Sequence, residues 1–423
     1  MKGRPNILWI IPTQWRAQAF GYAGDPNART PVIDALAAES VNFAQAVTPH
    51  PFGPFARAAM MTGIPSPENG VKDYFDPLPP SAHTVAHELR DLNYSTAYFG
   101  KWHLSKRDPS ASLVGDSHAK IVIPREALGG FEFFEGFESG FLLNDPWLHG
   151  TRLPEPVQFK GYQSDILCDR AAGWIGDFGN RKSETGEDRT DAEGTKLVDP
   201  EERPFFCVVS MEAPHPPYDA PASGIARPEP RMLVLPKNVP LGGEVETKVR
   251  RELAGYYAHI EATDRAIGRL LAKAKHEDTV VVFTSVHGDM HGAHGLLRKG
   301  WPHEESVRVP LLLRMPAVAA CRDEAAVSLV ELLAMTTDVA EGKLPAPARS
   351  KFARISMPSV VKLKHQCDCI WRGVRTKKRK LVLNDDGTTW LFFDLERDPL
   401  EMKNLAEDPT RAAEIAELKR MVK

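Results

Sequence analysis

The sequence predicts an α/β fold: a large, mostly parallel sheet sandwiched by helices, followed by a small antiparallel sheet near the C-terminus. Three observations predict it. Ile7–Ile11, Phe205–Ser210 and Val280–Thr284 are almost wholly apolar and read as strands buried on both faces. Amphipathic helical segments lie between such runs, the alternation expected of a parallel sheet with helices on both sides. After residue 369 the strand signals follow one another directly through a turn, the pattern of an antiparallel meander.

Taken in order, Ile7–Ile11 opens the sheet. Thr30-Pro31 starts a helix through Ile33, Leu36 and Ala38, and Val41 and Phe43 begin the next strand. Thr84–Leu92 reads as a helix feeding the strand Ser95–Phe99. Leu253–Ala274 carries Tyr257, Ile260, Ile267, Leu270 and Leu271 on one stripe, as in a long amphipathic helix. Residues 179–204 are almost entirely polar and read as a solvated insertion. The Pro- and Ala-rich stretch Lys343–Ser350 divides a domain over 1–342 from a C-terminal subdomain over 343–423. In that subdomain Cys369–Val374, Lys380–Leu383 and Thr389–Asp394 are strands, with a turn at Asn384-Asp385-Asp386-Gly387 and a closing helix over Thr410–Val422.

Composition narrows the function classes. The 423-residue chain is 42% hydrophobic and 26% charged, with a formal net charge of -3, so neither nucleic acid nor a membrane surface is an expected partner. No apolar run reaches the roughly 18 residues that would span a bilayer. The N-terminus shows no signal-peptide pattern, which points to the cytoplasm, or to the periplasm or exterior if the numbering is that of a mature chain. Five cysteines do not make a disulfide framework, and His365-x-Cys367-x-Cys369 lacks the second ligand pair of a metal knuckle. The oligomeric state is not legible.

Chemistry concentrates in Thr284-Ser285-Val286-His287-Gly288-Asp289-Met290-His291-Gly292-Ala293-His294-Gly295, a loop following a buried strand. Other distinctive segments are Pro5–Ile11 with Gln14-Trp15-Arg16, Thr30–Glu39, Arg57–Gly63, Gly100-Lys101-Trp102-His103-Leu104, Ala213-Pro214-His215-Pro216-Pro217, Lys299–Pro310 and Phe393–Pro399. Together, and in this order, they resemble the sulfatase family of the alkaline phosphatase superfamily, whose members include arylsulfatases and phosphonate monoester hydrolases. The resemblance spans nearly the whole chain and implies an alkaline phosphatase-like fold.

It also implies roles. Arg57, Lys101, His103, His215 and Lys299 fall on the family's oxyanion-binding and proton-transfer positions, and His287 on a metal or substrate position. The family nucleophile, a Cys matured to formylglycine or a Ser, falls on Gly53, or on Phe52 if Phe55 is an insertion; neither side chain can serve. The family's metal-binding Asp residues are replaced by Thr13, beside Gln14, and by Val286, so calcium is not expected and no cofactor is. The chain is therefore expected to be a pseudo-sulfatase or retasked protein. Its pocket would remain cationic and bind an anionic small molecule or a sulfated or phosphorylated glycan through Arg57, Lys101, His215, His287 and Lys299. One alternative is metal-independent acid–base catalysis, with Lys101 or His215 as acid and His103 or His287 as base. Another is a sulfuric or phosphoric ester hydrolase. A third arrangement replaces calcium by zinc on His287, Asp289, His291 and His294, whose imidazoles and carboxylate suit that ion.

Overall fold

The computed structural model describes residues 4–181, 203–274, 277–316, 318–345 and 351–422. Ten strands form one sheet: β1 (Asn6–Ile11), β2 (Val41–Val47), β3 (Ser95–Lys101), β4 (Phe133–Phe137), β5 (Trp147–Gly150), β6 (Leu153–Gln158), β7 (Phe205–Ser210), β8 (Thr279–Thr284), β9 (Leu311–Arg314) and β10 (Cys321–Ser328). Their spatial order is β10-β2-β9-β8-β1-β7-β3-β4-β5-β6. The centre, from β8 through β1, β7 and β3 to β4, is parallel; β9 and the β4–β5–β6 meander pair antiparallel. The sheet is thus large, mixed and mostly parallel at its core, with helices over it.

Why the central strands are apolar at every position is visible in how they divide between two cores. Ile7, Trp9 and Ile11 pack into one hydrophobic cluster and Leu8 and Ile10 into the other. Phe206 and Val208 alternate in the same way with Cys207 and Val209, as do Val280 and Val282 with Val281 and Phe283. Successive side chains on a strand point to opposite faces, so a strand covered on both sides has no solvent-facing register to mark with polar residues.

A second sheet has four antiparallel strands in the order β11 (Phe352–Met357), β12 (Trp371–Thr376), β13 (Arg379–Asn384), β14 (Thr389–Asp394). The helix Ala412–Val422 packs on it, sharing a cluster with Val374, Leu381 and Phe392. Sequence periodicity missed β11, and it placed the start of β12 two residues early. The helix expected from Leu253 begins at Gly243; its first ten residues are mostly charged and exposed, and only Val245 and the buried Val249 carry the apolar stripe back from Leu253. The polar insertion falls almost entirely outside the described residues. Among the described residues, no helix is long and apolar enough to cross a membrane.

Candidate functional site

The carboxyl ends of the four adjacent parallel strands β8, β1, β7 and β3 supply one corner of the molecule with functional groups. In open α/β sheets that edge is where ligands sit, because chain after chain leaves the sheet there as a loop. β1 leads into Thr13 and Gln14, β3 ends on Lys101, β7 leads to Glu212 and His215, and β8 to His287 and Asp289. A cleft of about 280 Å³ opens there, lined by Thr13, Phe52, Gly53, Lys101, His103, His215, His287 and Lys299 among others. Eight of the sequence-derived positions therefore meet in one pocket: Thr13, Phe52, Gly53, Lys101, His103, His215, His287 and Lys299.

Arg57, Gln14 and Val286 stand behind the wall. Arg57 donates to Tyr98 Oη (3.3 Å), the Lys101 carbonyl (2.9 Å) and Ser210 Oγ (2.7 Å) through Nη1, and to Thr13 Oγ1 (2.8 Å) through Nη2. Its terminal nitrogens are committed to the scaffold, so in this arrangement it buttresses β3 and Thr13 rather than facing a ligand. Val286 is fully buried in a hydrophobic cluster.

The histidines are neutral and their tautomers can be assigned from their partners. Burial first, then the charges of Lys101, Arg107, Arg57 and Lys299, holds His103 well below the usual imidazole range. Arg107 Nη1 sits 2.9 Å from His103 Nε2 and can only donate, so the His103 proton is on Nδ1. That atom has no hydrogen-bond partner among the described residues and lies 3.0 Å from where a Cβ on Gly53 would be. His103 is thus a donor aimed at the helix start Gly53–Thr62, and its lone pair is occupied; it does not fit the role of base. His215 donates from Nδ1 to the Pro216 carbonyl (2.8 Å) and accepts from Lys299 Nζ at Nε2 (2.8 Å), so it is not positioned as an acid. His287 donates from Nδ1 to the Gly288 carbonyl (2.9 Å), leaving Nε2 as a buried acceptor without a partner among the described residues.

The lysines are the tunable groups. Lys299 donates to Gln14 Oε1 (2.6 Å) as well as to His215, and burial together with the nearby Lys101 charge lowers its pKa to about 7. Lys101 pairs with Glu212 (2.8 Å), both ends fully buried, and desolvation lowers it to about 8 against the pull of that carboxylate. Asp289 accepts from Tyr218 Oη (2.5 Å), from Gln14 Nε2 and from the His291 amide (2.9 Å). Despite burial, His291, Arg298 and Tyr218 hold its carboxyl at about 2.

Several residues at the site were not anticipated. Glu212 is a partner for Lys101, which makes the pocket less cationic than the surviving lysines imply. Arg107 bridges His103 and Glu138 (3.3 Å). Phe141 stacks on His215, with ring centroids 4.6 Å apart, and lies 4.5 Å from Lys101 Nζ. Glu212 stands three residues before His215, and Arg107 four after His103; spacing gave a weak signal for both. Phe141 gave none.

A hard divalent cation takes about six to eight oxygen ligands. Where the resemblance would put a metal, Thr13 Oγ1 already bonds Arg57 and the Met211 carbonyl, the Lys299 ammonium occupies Gln14 Oε1, and Val286 has no ligand atom. These residues do not fit calcium. Nor do the four zinc candidates converge. Among the described residues, the one set of three or more donors within 4.8 Å is His294 with Glu305 and Glu401, while His291 lies against Tyr218 and Tyr256.

Residues 5–342 match the sequence model of the family described as Sulfatase. The ulvan-active sulfatase of Formosa agariphila is 31% identical, over 96% of this chain and 78% of that protein. A solved structure described as in complex with its substrate D-glucosamine-2-N,6-O-disulfate superimposes with a TM-score of 0.77 at 21% identity, covering 99% of this chain and 97% of the other. The phosphonate monoester hydrolase of Agrobacterium radiobacter does so with a TM-score of 0.67 at 20% identity, covering 99% and 94%.

Proposed function

The chain belongs to the sulfatase family, and on that premise we propose that its pocket receives the sulfuric ester of a sulfated saccharide and binds it without a covalent step. One observation carries the reading: the first residue of the helix after β2, where the His103 Nδ1–H points, is Gly53, which offers no nucleophilic atom. The surrounding donors suit an oxyanion. Lys299 and Lys101 bring positive charge, and His103 Nδ1–H adds a neutral donor. The saccharide part is supported by the D-glucosamine disulfate that is the substrate in one of the similar structures.

A second reading, a sulfuric ester hydrolase, is favoured by the relatives, which are described as sulfatases, and by the two lysines poised near neutrality. Here water would attack sulfur, the sulfur–oxygen bond to the leaving group would break, and the departing oxygen would take its proton from Lys299 or Lys101. His287 Nε2 would accept the proton of the water.

Titration calorimetry with inorganic sulfate, alongside turnover assays on an aryl sulfate and on glucosamine 6-sulfate, tests both. Binding is expected to weaken as pH rises through about 7 to 8, because Lys299 and then Lys101 lose their protons over that interval. Sulfate binding with no turnover supports the first reading. Turnover lost in Lys299→Ala establishes the second, and absence of both overturns both.

A further inference from the structure

We propose that His294, Glu305 and Glu401 form a binding site for a divalent transition-metal ion of the zinc class, remote in role from the sulfuric ester pocket. The three offer one imidazole nitrogen and two carboxylate oxygens, all within 4.8 Å of one another. Such a mixed nitrogen and oxygen set suits zinc better than calcium, which prefers oxygen alone and more of it.

Two further observations point to a missing ligand. Glu305 is 4% exposed, and among the described residues its Oε2 has no hydrogen-bond partner, while Oε1 accepts from Asn238 Nδ2 (2.7 Å). Asn238, also 4% exposed, has an unpartnered Oδ1, and its Nδ2 is 3.3 Å from His294 Nε2. A buried carboxylate oxygen without a donor costs the desolvation of that atom and is rarely left so. Rotating the Asn238 amide would offer the ion Oδ1 as a fourth donor, in exchange for the Nδ2 bonds to Glu305 Oε1 and to the Leu400 carbonyl (3.4 Å).

Lys380 does not already fill this role. Its Nζ lies 2.7 Å from Glu401 Oε1, but it also pairs with Glu304 (2.7 Å) and donates to the Pro302 carbonyl (2.9 Å). It therefore keeps partners if Glu401 turns a lone pair to a metal, and it makes no ion pair with Glu305. His294 has a left-handed φ of 56°, and its amide donates to the Asn238 carbonyl (2.7 Å). The ligands come from three separate stretches: the loop after β8, the short helix Glu304–Val307, and the segment following β14. An ion here would tie the end of the chain to the large sheet.

The test is calorimetry and native mass spectrometry with zinc chloride on full-length protein purified without a histidine tag, followed by thermal unfolding. One zinc per chain is expected, with a raised unfolding midpoint. His294→Ala and Glu305→Gln should each weaken binding at least tenfold, while His291→Ala leaves it unchanged. Cobalt absorption on the unsubstituted protein gives a readout that does not depend on any variant folding; the expected spectrum has ligand-field bands of nitrogen and oxygen coordination. No zinc uptake, uptake indifferent to His294 and Glu305, loss in His291→Ala, or a thiolate charge-transfer band from Cys367 and Cys369 would each overturn the proposal.

Discussion

Replacing Val286 with Asp is expected to destabilise the protein by about 3 kcal/mol or more at neutral pH, and calcium is not expected to restore it. The side chain is completely buried in the hydrophobic cluster on one face of the sheet. Putting a carboxylate there removes apolar packing and buries a charge, which are among the few mechanisms that give large single-site effects. The cations of the neighbouring pocket are engaged: Arg57 with Thr13, Ser210, Tyr98 and a carbonyl, Lys299 with Gln14 and His215. Burial would raise the pKa of the new carboxyl. The folded state would then prefer its protonated form, so the penalty is fully felt above that raised value and shrinks as pH falls through it. Denaturant midpoints at pH 7 and 5, with and without millimolar calcium, read all of this. A variant as stable as the parent would mean that position 286 is not the sealed apolar site its packing describes, and one rescued by calcium would mean that Thr13, Gln14 and their neighbours can still complete a cation site, against the misfit argued above.

Much of this architecture was legible in the sequence because the relevant signals are local. Strands β1, β7 and β8 are apolar throughout since they are covered on both faces, and the loops leaving them carry the distinctive Thr-Gln, Ala-Pro-His and Ser-Val-His-Gly segments. Strand-end loops of neighbouring parallel strands must converge, so Lys101, His215 and His287 were bound to meet once the fold was known. Direction was less legible. Arg57 has the composition of an anion ligand, and only three-dimensional packing shows its guanidinium spent on Ser210, Thr13 and Lys101. Proton positions were not legible at all: that His103 is a donor and His287 an acceptor follows from Arg107 and the Gly288 carbonyl, neither of which a motif specifies. The histidine-rich loop misled for a related reason. Its imidazoles are close in sequence, but the left-handed turns at His291 and His294 aim them apart, one against Tyr256 and the other toward Glu305.

Glu212→Gln should tighten sulfate binding about tenfold or more at pH 6 and lose that gain by pH 8.5. In the parent, the Glu212 carboxylate competes with any incoming anion for Lys101, and both groups are shut off from water. Two unit charges about 5 Å apart at an effective dielectric near 20 interact by about 3 kcal/mol, so removing a fixed negative charge from beside the anion outweighs the loss of one hydrogen bond. The gain requires a charged Lys101. Desolvation already lowers it to about 8, and without Glu212, the main group opposing that shift, it drops further. Above the new value the pocket has lost both the carboxylate and the ammonium, and nothing is gained. Stability follows the same sign. A lysine whose folded pKa lies below its unfolded one costs stability as pH drops from the unfolded value toward the folded one, and the loss is complete below the folded value, so a lower folded value means a larger loss at acid pH. The unfolding midpoint of Glu212→Gln should therefore trail the parent more at pH 6 than at pH 8.5, and added sulfate should narrow the gap at pH 6. Weaker sulfate binding at both pH values would show instead that Glu212 holds Lys101 in position, and that the carboxylate belongs to the binding geometry rather than standing in the ligand's place.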